Sequence, residues 1–458
     1  VKTGVDTPNI LLIVTHDSGR HLGCYGAGVE TPALDGLAAG GVRFDGMFCT
    51  APQCSPSRGS LLTGKVPHRH GLVGLAHIGW ELNPGQETLP RCLGRAGYRT
   101  VLVGFQHESA DPESLGYDQV IASRPATADG ACDNSAAAVT AAFLRELPQL
   151  RAGARPFYAC LGFTEAHRPF DTAASALPVK PLPWLPDRPG IRADTQALNA
   201  LMRAVDRSVA QLLHELDRSG LREQTLVIFT TDHGVAMPRA KGTCYDPGVS
   251  VACIMNWPGR LRPRTTGALL SNVDVLPTLC ELARAPVPAA LDGTSFLPLL
   301  QGDTAAGPRS HLFLECTWHD RYNPIRALRT NRHKYIRNFG RRPLVYLPKD
   351  IWCGRAGREM RAEYYAQTRP AEELYDLAAD PWEQRNLAGL PEHAGPVHEL
   401  RARLHAWMTA TGDRLLSGDW PPTLRQQHRE DTDMTPNGSV AANRAAGACD
   451  NSEQEERE

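Results

Sequence analysis

Cys54-Ser55-Pro56-Ser57-Arg58-Gly59-Ser60-Leu61-Leu62-Thr63-Gly64 sets one cysteine ahead of Pro, Ser and Arg, then runs into a helix-like Leu-Leu-Thr-Gly. A lone cysteine is ordinarily a small buried hydrophobe. Around this stretch, short apolar runs alternate with helical patterns. Strands are expected at Asn9 to Val14, Thr100 to Gly104, Phe157 to Phe163 and Thr225 to Thr230, each ending in a polar or ionisable cluster. This alternation predicts an α/β domain over residues 1–304, with a mixed, mostly parallel sheet flanked by helices. Such sheets carry their chemistry at the carboxyl ends of the strands.

A helix capped by Asp194 or Thr195 is expected to keep Leu198, Leu201, Met202, Val205, Val209, Leu212, Leu213 and Leu216 on one face and to stop at Gly220. Weaker helical patterns cover Leu34 to Ala39, Ser135 to Leu147 and Val273 to Ala283. Beyond Pro298 to Pro308 the pattern changes. His311 to Cys316, Ile325 to Thr330 and Lys334 to Asn338 read as short strands without intervening helices, followed by Glu373 to Leu377 and a helix from about His398 to Thr411. Residues 305–415 therefore predict a smaller antiparallel sheet with one packing helix. Residues 416–458 are polar and aperiodic, and are expected to be disordered.

At 458 residues and 42% hydrophobic content the chain can bury a large core. Lys plus Arg total 49 against 50 for Asp plus Glu, so no global field recruits nucleic acid or an anionic membrane. An anionic substrate has to be met locally. The twelve cysteines include no Cys-x-x-Cys pair and no ladder of spacings that suggests a disulfide framework or structural zinc site. Ile10 to Val14 is too short for a signal-peptide core, and no stretch approaches the ~18 apolar residues of a membrane span. The chain reads as cytoplasmic.

His16 and Asp17 close the first strand, and Asp232 and His233 close the strand Thr225 to Thr230. Far apart in sequence, the two pairs meet if those strands are neighbours. His107 and His167 follow two further strands, and Lys241 lies shortly after Asp232.

Residues 54–64 match the Cys-x-Pro-Ser-Arg-x-x-x-Leu-Thr-Gly signature of the sulfatases at every defining position, and the chain resembles that family from Asn9 to Leu387. His70-Gly71 and Gly74-Leu75 are most similar to its N-sulfoglucosamine sulfohydrolase branch. The resemblance implies an alkaline-phosphatase-like fold and a Cys54 oxidised to formylglycine by a formylglycine-generating maturase. In the implied reaction one hydroxyl of the aldehyde hydrate attacks sulfur, and the second later loses its proton and expels sulfate. Arg58 would hold the hydrate and the sulfuryl oxygens, Lys241 the sulfate. His167 would be the leaving-group acid, and His107 a helper in sulfate release. One divalent ion is implied beside position 54, on Asp17, Asp232 and His233, with His16 the weakest ligand. Carboxylates favour Ca2+, whereas the histidines allow Mn2+ or another divalent ion.

Two positions depart from the family pattern. His16 stands where many sulfatases have Asp, and Gly104-Phe105-Gln106-His107 lacks the lysine of Gly-Lys-x-His. The expected activity is hydrolysis of sulfate esters or sulfamates on a small sulfated sugar. A phosphodiester or phosphonate monoester hydrolase of the same superfamily is the first rival, and a catalytically silent carbohydrate-binding relative the second.

Overall fold

The run Ile10-Leu11-Leu12-Ile13-Val14 is apolar at every position because both faces of its strand are covered. Leu11 and Ile13 point into one core cluster, and Ile10, Leu12 and Val14 into another. The computed structural model describes residues 7–122, 133–170, 179–303 and 309–425. The expected disorder beyond residue 425 lies outside them.

The strands are β1 (Asn9–Thr15), β2 (Val42–Phe44), β3 (Met47–Phe48), β4 (Arg99–Gly104), β5 (Gln119–Ile121), β6 (Phe157–Gly162), β7 (Thr225–Thr231), β8 (Cys253–Asn256), β9 (Arg264–Thr266) and β10 (Leu270–Ser271). Eight of them form one sheet in the order β5-β4-β6-β1-β7-β8-β2-β9, in which only β8 runs antiparallel to its neighbours. The mixed, mostly parallel sheet is thus as expected. β1 pairs with β7 in parallel from Asn9↔Thr225 to Thr15↔Thr231. The residues just beyond both strands, His16-Asp17 and Asp232-His233, therefore emerge side by side.

Helices Ala136–Ala152 and Pro189–Arg218 cover one face; Leu89–Arg95 and Val275–Leu282 cover the other. The long helix starts at Pro189, not at Asp194 or Thr195. Proline fits the first helical turn, and Asp194 is spent elsewhere: it accepts from Arg168 Nη2 at 2.6 Å and from Ala356 N at 3.0 Å. Gly220, at φ +70°, follows the helix end as expected.

The smaller sheet is antiparallel: β11 (His311–Trp318), β12 (Tyr322–Thr330), β13 (His333–Asn338) and β14 (Glu372–Asp376), with helix Ala394–Thr411 packed on it through Val397, Leu400, Leu404 and Met408. Two helices missing from the sequence reading, Lys349–Cys353 and Arg355–Tyr365, intervene between β13 and β14. Their buried residues Ile351, Ala356, Met360 and Tyr364 join the core of the larger sheet. The sparse apolar positions among many arginines and glutamates hid them. Residues 416–425, expected to be disordered, are packed: Trp318 Nε1 donates to Trp420 O at 3.2 Å and Thr423 Oγ1 to Ile78 O at 2.6 Å. Most free cysteines among the described residues are buried, but Cys353 is disulfide-bonded, which the spacings did not suggest. No helix among the described residues is long and apolar enough to cross a membrane.

One buried cation ties the small sheet to the rest. Arg326 on β12 donates through Nε to Asp413 at 2.5 Å and through Nη1 to Cys316 O at 2.9 Å, and stands 3.3 Å from Glu315. Glu315 in turn accepts from His68 N at 2.7 Å, just beyond the helix that starts at Cys54. Replacing Arg326 by Met leaves buried Asp413 without its cation and Glu315 with His68 alone. Urea unfolding is expected to show a loss of about 3–5 kcal/mol, and a loss below about 1 kcal/mol would show that the network is not a stabilising anchor.

Candidate functional site

Cys54 is the first residue of helix Cys54–Thr63 and is buried at the carboxyl edge of the large sheet. Gly59 allows the helix to sit against the His70 ring, where a Cβ would come within 2.7 Å of Cε1. On the facing strands, Gly19 closes the turn after β1 at φ +52°, with Val235 N only 3.1 Å from where a Cβ would be. These close approaches hold the ends of β1 and β7 and the helix start around one point.

Asp17 lies at the centre of that point. Its Oδ1 is 2.7 Å from His16 Nδ1 and 2.9 Å from His233 Nε2, and its Oδ2 accepts from Lys241 Nζ at 2.7 Å. Asp232 Oδ1 accepts from Asp17 N at 2.9 Å, and Oδ2 from Arg58 Nε at 3.0 Å, with His16 Nδ1 3.4 Å away. Cys54 Sγ is 3.4 Å from His233 Nε2 and 4.0 Å from Asp17 Oδ1. One potential ligand atom from each of His16, Asp17, Cys54, Asp232 and His233 lies within 4.8 Å of all the others. His16, the weakest ligand candidate by sequence, thus sits as deep in the cluster as the rest.

Burial alone would push both carboxyls up, but Lys241, His16 and His233 hold Asp17 well below its ordinary range, and His16, His233 and Arg58 lower Asp232. In return, burial is overridden at His16, which Asp232, Cys54 and Asp17 hold up at about 9. At Cys54, burial is overcome by His16 and Lys241, which keep the thiol well below its usual value. The cluster is therefore two carboxylates balanced by Lys241, Arg58 and the two histidines.

Such a donor set fits a divalent cation. Two carboxylates supply the charge, His233 Nδ1 is engaged by Gly234 O at 2.9 Å so that Nε2 faces inward, and a cation can replace the imidazole protons.

The remaining expected residues converge on the same place. His167 Nδ1 pairs with Arg168 O at 2.5 Å, turning Nε2 toward Lys241 Nζ at 3.5 Å. His107 Nε2 pairs with His77 Nδ1 at 2.7 Å, leaving its buried Nδ1 without a partner and its ring against Cys54. Arg58 faces Asp232 and Thr15 O, so it is aimed at the carboxylate side. Phe105 lies beside two basic groups, its ring centroid 5.0 Å from that of His16 and 5.1 Å from Arg58 Cζ. A cation–π contact replaces any cation there.

Three neighbours went unread in the sequence. Asp350, on helix Lys349–Cys353, accepts from Lys241 Nζ at 2.7 Å, and nothing in its local sequence marks it. His319 and Asp320 follow β11, and His319 meets Cys54. A signal for these two existed: an adjacent His and Asp just past a strand, as at residues 16–17 and 232–233.

Residues 8–285 match the Sulfatase family, and residues 239–347 match the family described as N-sulphoglucosamine sulphohydrolase, C-terminal. The chain belongs to the sulfatase family. It is 31% identical to human arylsulfatase A over 90% of this chain and 91% of that protein, and 27% identical to human N-sulphoglucosamine sulphohydrolase over 88% and 90%. Among solved structures, one described as in complex with its substrate D-glucosamine-2-N,6-O-disulfate superposes with a TM-score of 0.70 at 19% identity, covering 89% of this chain and 99% of that one. The phosphonate monoester hydrolase of Agrobacterium radiobacter superposes with a TM-score of 0.65 at 21% identity, covering 90% and 97%. This sulfatase thus has the alkaline-phosphatase-like fold and is a sulfuric ester hydrolase.

Lys241 sits between Asp17 and Asp350, and its removal leaves two buried carboxylates facing each other. In metal-free protein, Lys241→Met is expected to cost about 3–5 kcal/mol in urea unfolding. Unchanged stability would show that the carboxylates are satisfied without it.

Proposed function

We propose that this sulfatase is metal-dependent and removes sulfate from a small sulfated saccharide of the N-sulfoglucosamine type, using a formylglycine at position 54 installed by a maturase. One observation carries the reading: Cys54 Sγ, which marks where the hydrate oxygens of formylglycine would stand, lies within 4.0 Å of both Asp17 Oδ1 and His233 Nε2. Asp17, Asp232, His233 and His16 would hold the ion, with Ca2+ favoured by the carboxylates. The likeness to N-sulphoglucosamine sulphohydrolase, which extends into residues 239–347, supports the sugar class.

A divalent cation held by Asp17, Asp232, His233 and His16 would supply positive charge to draw electron density from the sulfuryl oxygens. The formylglycine hydrate supplies one hydroxyl for attack on sulfur and a second whose deprotonation releases sulfate. Lys241 binds the sulfuryl group, its ammonium oriented by Asp17 and Asp350. His167 presents Nε2 on the Lys241 side and protonates the departing oxygen or nitrogen, the proton on Nδ1 being tied to Arg168 O. His107, whose ring meets residue 54, takes the proton of the second hydroxyl, and His77 fixes its orientation. Arg58 acts mainly through Asp232, which it neutralises and aims.

The second reading, phosphonate monoester hydrolysis, is favoured by the Asp232-His233 pair and by the fold shared with the Agrobacterium enzyme. Rates on glucosamine N-sulfate, an aryl sulfate and a phenyl phosphonate ester separate the two. Sulfate or sulfamate turnover is expected to dominate; a phosphonate preference of orders of magnitude would overturn the substrate class. After co-expression with a maturase, the tryptic peptide Phe44 to Arg58 is expected to be lighter than its cysteine form, and Cys54→Ala to lose turnover by at least about 10³-fold. Full activity in Cys54→Ala would falsify the nucleophile assignment.

Thermal unfolding after chelator treatment tests the ion. Added Ca2+ or Mn2+ at about 100 times its dissociation constant is expected to stabilise the parent by about 2.7 kcal/mol, and a variant with Asp17→Asn and Asp232→Asn not at all. Equal responses would place the ion elsewhere.

A further inference from the structure

β11 ends at Trp318, and the chain turns through His319 and Asp320 before β12. This turn is fastened to the segment bearing residue 54. Gln53 Nε2 donates to Trp318 O at 2.6 Å, Trp318 N to Val73 O at 3.1 Å, and Glu315 N to Thr50 O at 2.8 Å. His319 is buried, with Nδ1 2.9 Å from Asp320 Oδ1. Asp320 is itself held, by the Tyr346 hydroxyl on Oδ1 and by Lys349 N at 2.9 Å on Oδ2. A ring clamped at Nδ1 by a fixed carboxylate has its direction set.

That direction is toward the reaction. The ring meets Cys54, and its Nε2, the only buried polar atom of the pair without a hydrogen bond, is free to bond what arrives there. Buried polar atoms are rarely left unpaired unless something completes them. Lys349, whose N–H holds Asp320 at 2.9 Å, is followed by Asp350, which holds Lys241 Nζ at 2.7 Å, so His319 and Lys241 are both tied to one helix start.

We propose that His319, oriented by Asp320, is a further catalytic residue, whose Nε2–H donates a hydrogen bond to a sulfuryl oxygen of the group transferred at residue 54. Asp320 is its positioning residue. An imidazole lying between a fixed carboxylate and an incoming sulfuryl anion carries both ring protons, one for each. Donors aimed where negative charge gathers stabilise the transition state more than the ground state. The inference rests on the mechanism proposed at residue 54. It adds a donor from the β11–β12 turn to a site at the carboxyl edge of the large sheet.

The test compares parent, His319→Ala, His319→Gln and Asp320→Asn, each co-expressed with a maturase and checked for formylglycine by peptide mass. Calorimetric titration with inorganic sulfate reads binding, and aryl sulfate kinetics read turnover. His319→Ala is expected to weaken sulfate binding about tenfold or more and to lower kcat by about 10²-fold at unchanged formylglycine content. His319→Gln, which keeps an N–H donor, is expected to fall between parent and Ala. Asp320→Asn is expected to lose less than His319→Ala in both readouts. Binding and turnover in His319→Ala within about threefold of parent would overturn the inference. Should His319→Ala fail to fold, the same comparison on His319→Gln decides, parent-like values on both readouts overturning it. A parent that binds sulfate through His319 without turning over any sulfate ester would sink the proposed reaction and leave the His319 contact standing.

Discussion

The buried Asp17 carboxylate is the charge around which the site is organised. Placing a carboxylate out of reach of water is costly unless cations and donors surround it. His16, His233 and Lys241 do so from three parts of the chain, while Asp17 N in turn donates to Asp232. Each partner thereby acquires a position it would not hold alone. Lys241 is drawn to one carboxylate oxygen, two imidazoles to the other, and Cys54 falls beside them at a helix start.

This arrangement needs the small sheet as well as the large one. Lys241 is neutralised on its far side by Asp350, which lies in a helix after β13. Asp320 connects the β11–β12 turn to the same helix start through Lys349 N. The buried Arg326 with Glu315 and Asp413 keeps that sheet in register with the segment following Cys54. Stability and chemistry therefore share residues at this boundary, and a change in the core of the small sheet can reach the catalytic edge.

Legibility was uneven for physical reasons. β1, β4, β6 and β7 could be read because fully covered parallel strands must be apolar on both faces. Cys54 and the two pairs His16-Asp17 and Asp232-His233 could be read because they sit in contiguous motifs, at a helix start and at strand ends. The start of helix Pro189–Arg218 was misplaced because Asp194 resembles a cap yet serves Arg168 and Ala356. The helices around residues 349–365 bury few residues among many charges, so their periodicity was faint. Residues 416–425 read as polar tail, yet Trp420 and Thr423 dock through backbone bonds that composition cannot reveal.

By itself, the sequence determined the family, the α/β sheet and the identity of the groups at strand ends, because periodicity and short motifs are local properties of a chain. Only the tertiary structure decided that His16 belongs to the carboxylate cluster, that Phe105 lies over Arg58, and that Asp350 and His319 reach the site from the small sheet. Those facts depend on contacts between residues far apart in the chain, such as Lys241 with Asp17. Electrostatic pairing across such separations is set by how strands and subdomains pack, so even a local signal such as His319-Asp320 cannot name its partner.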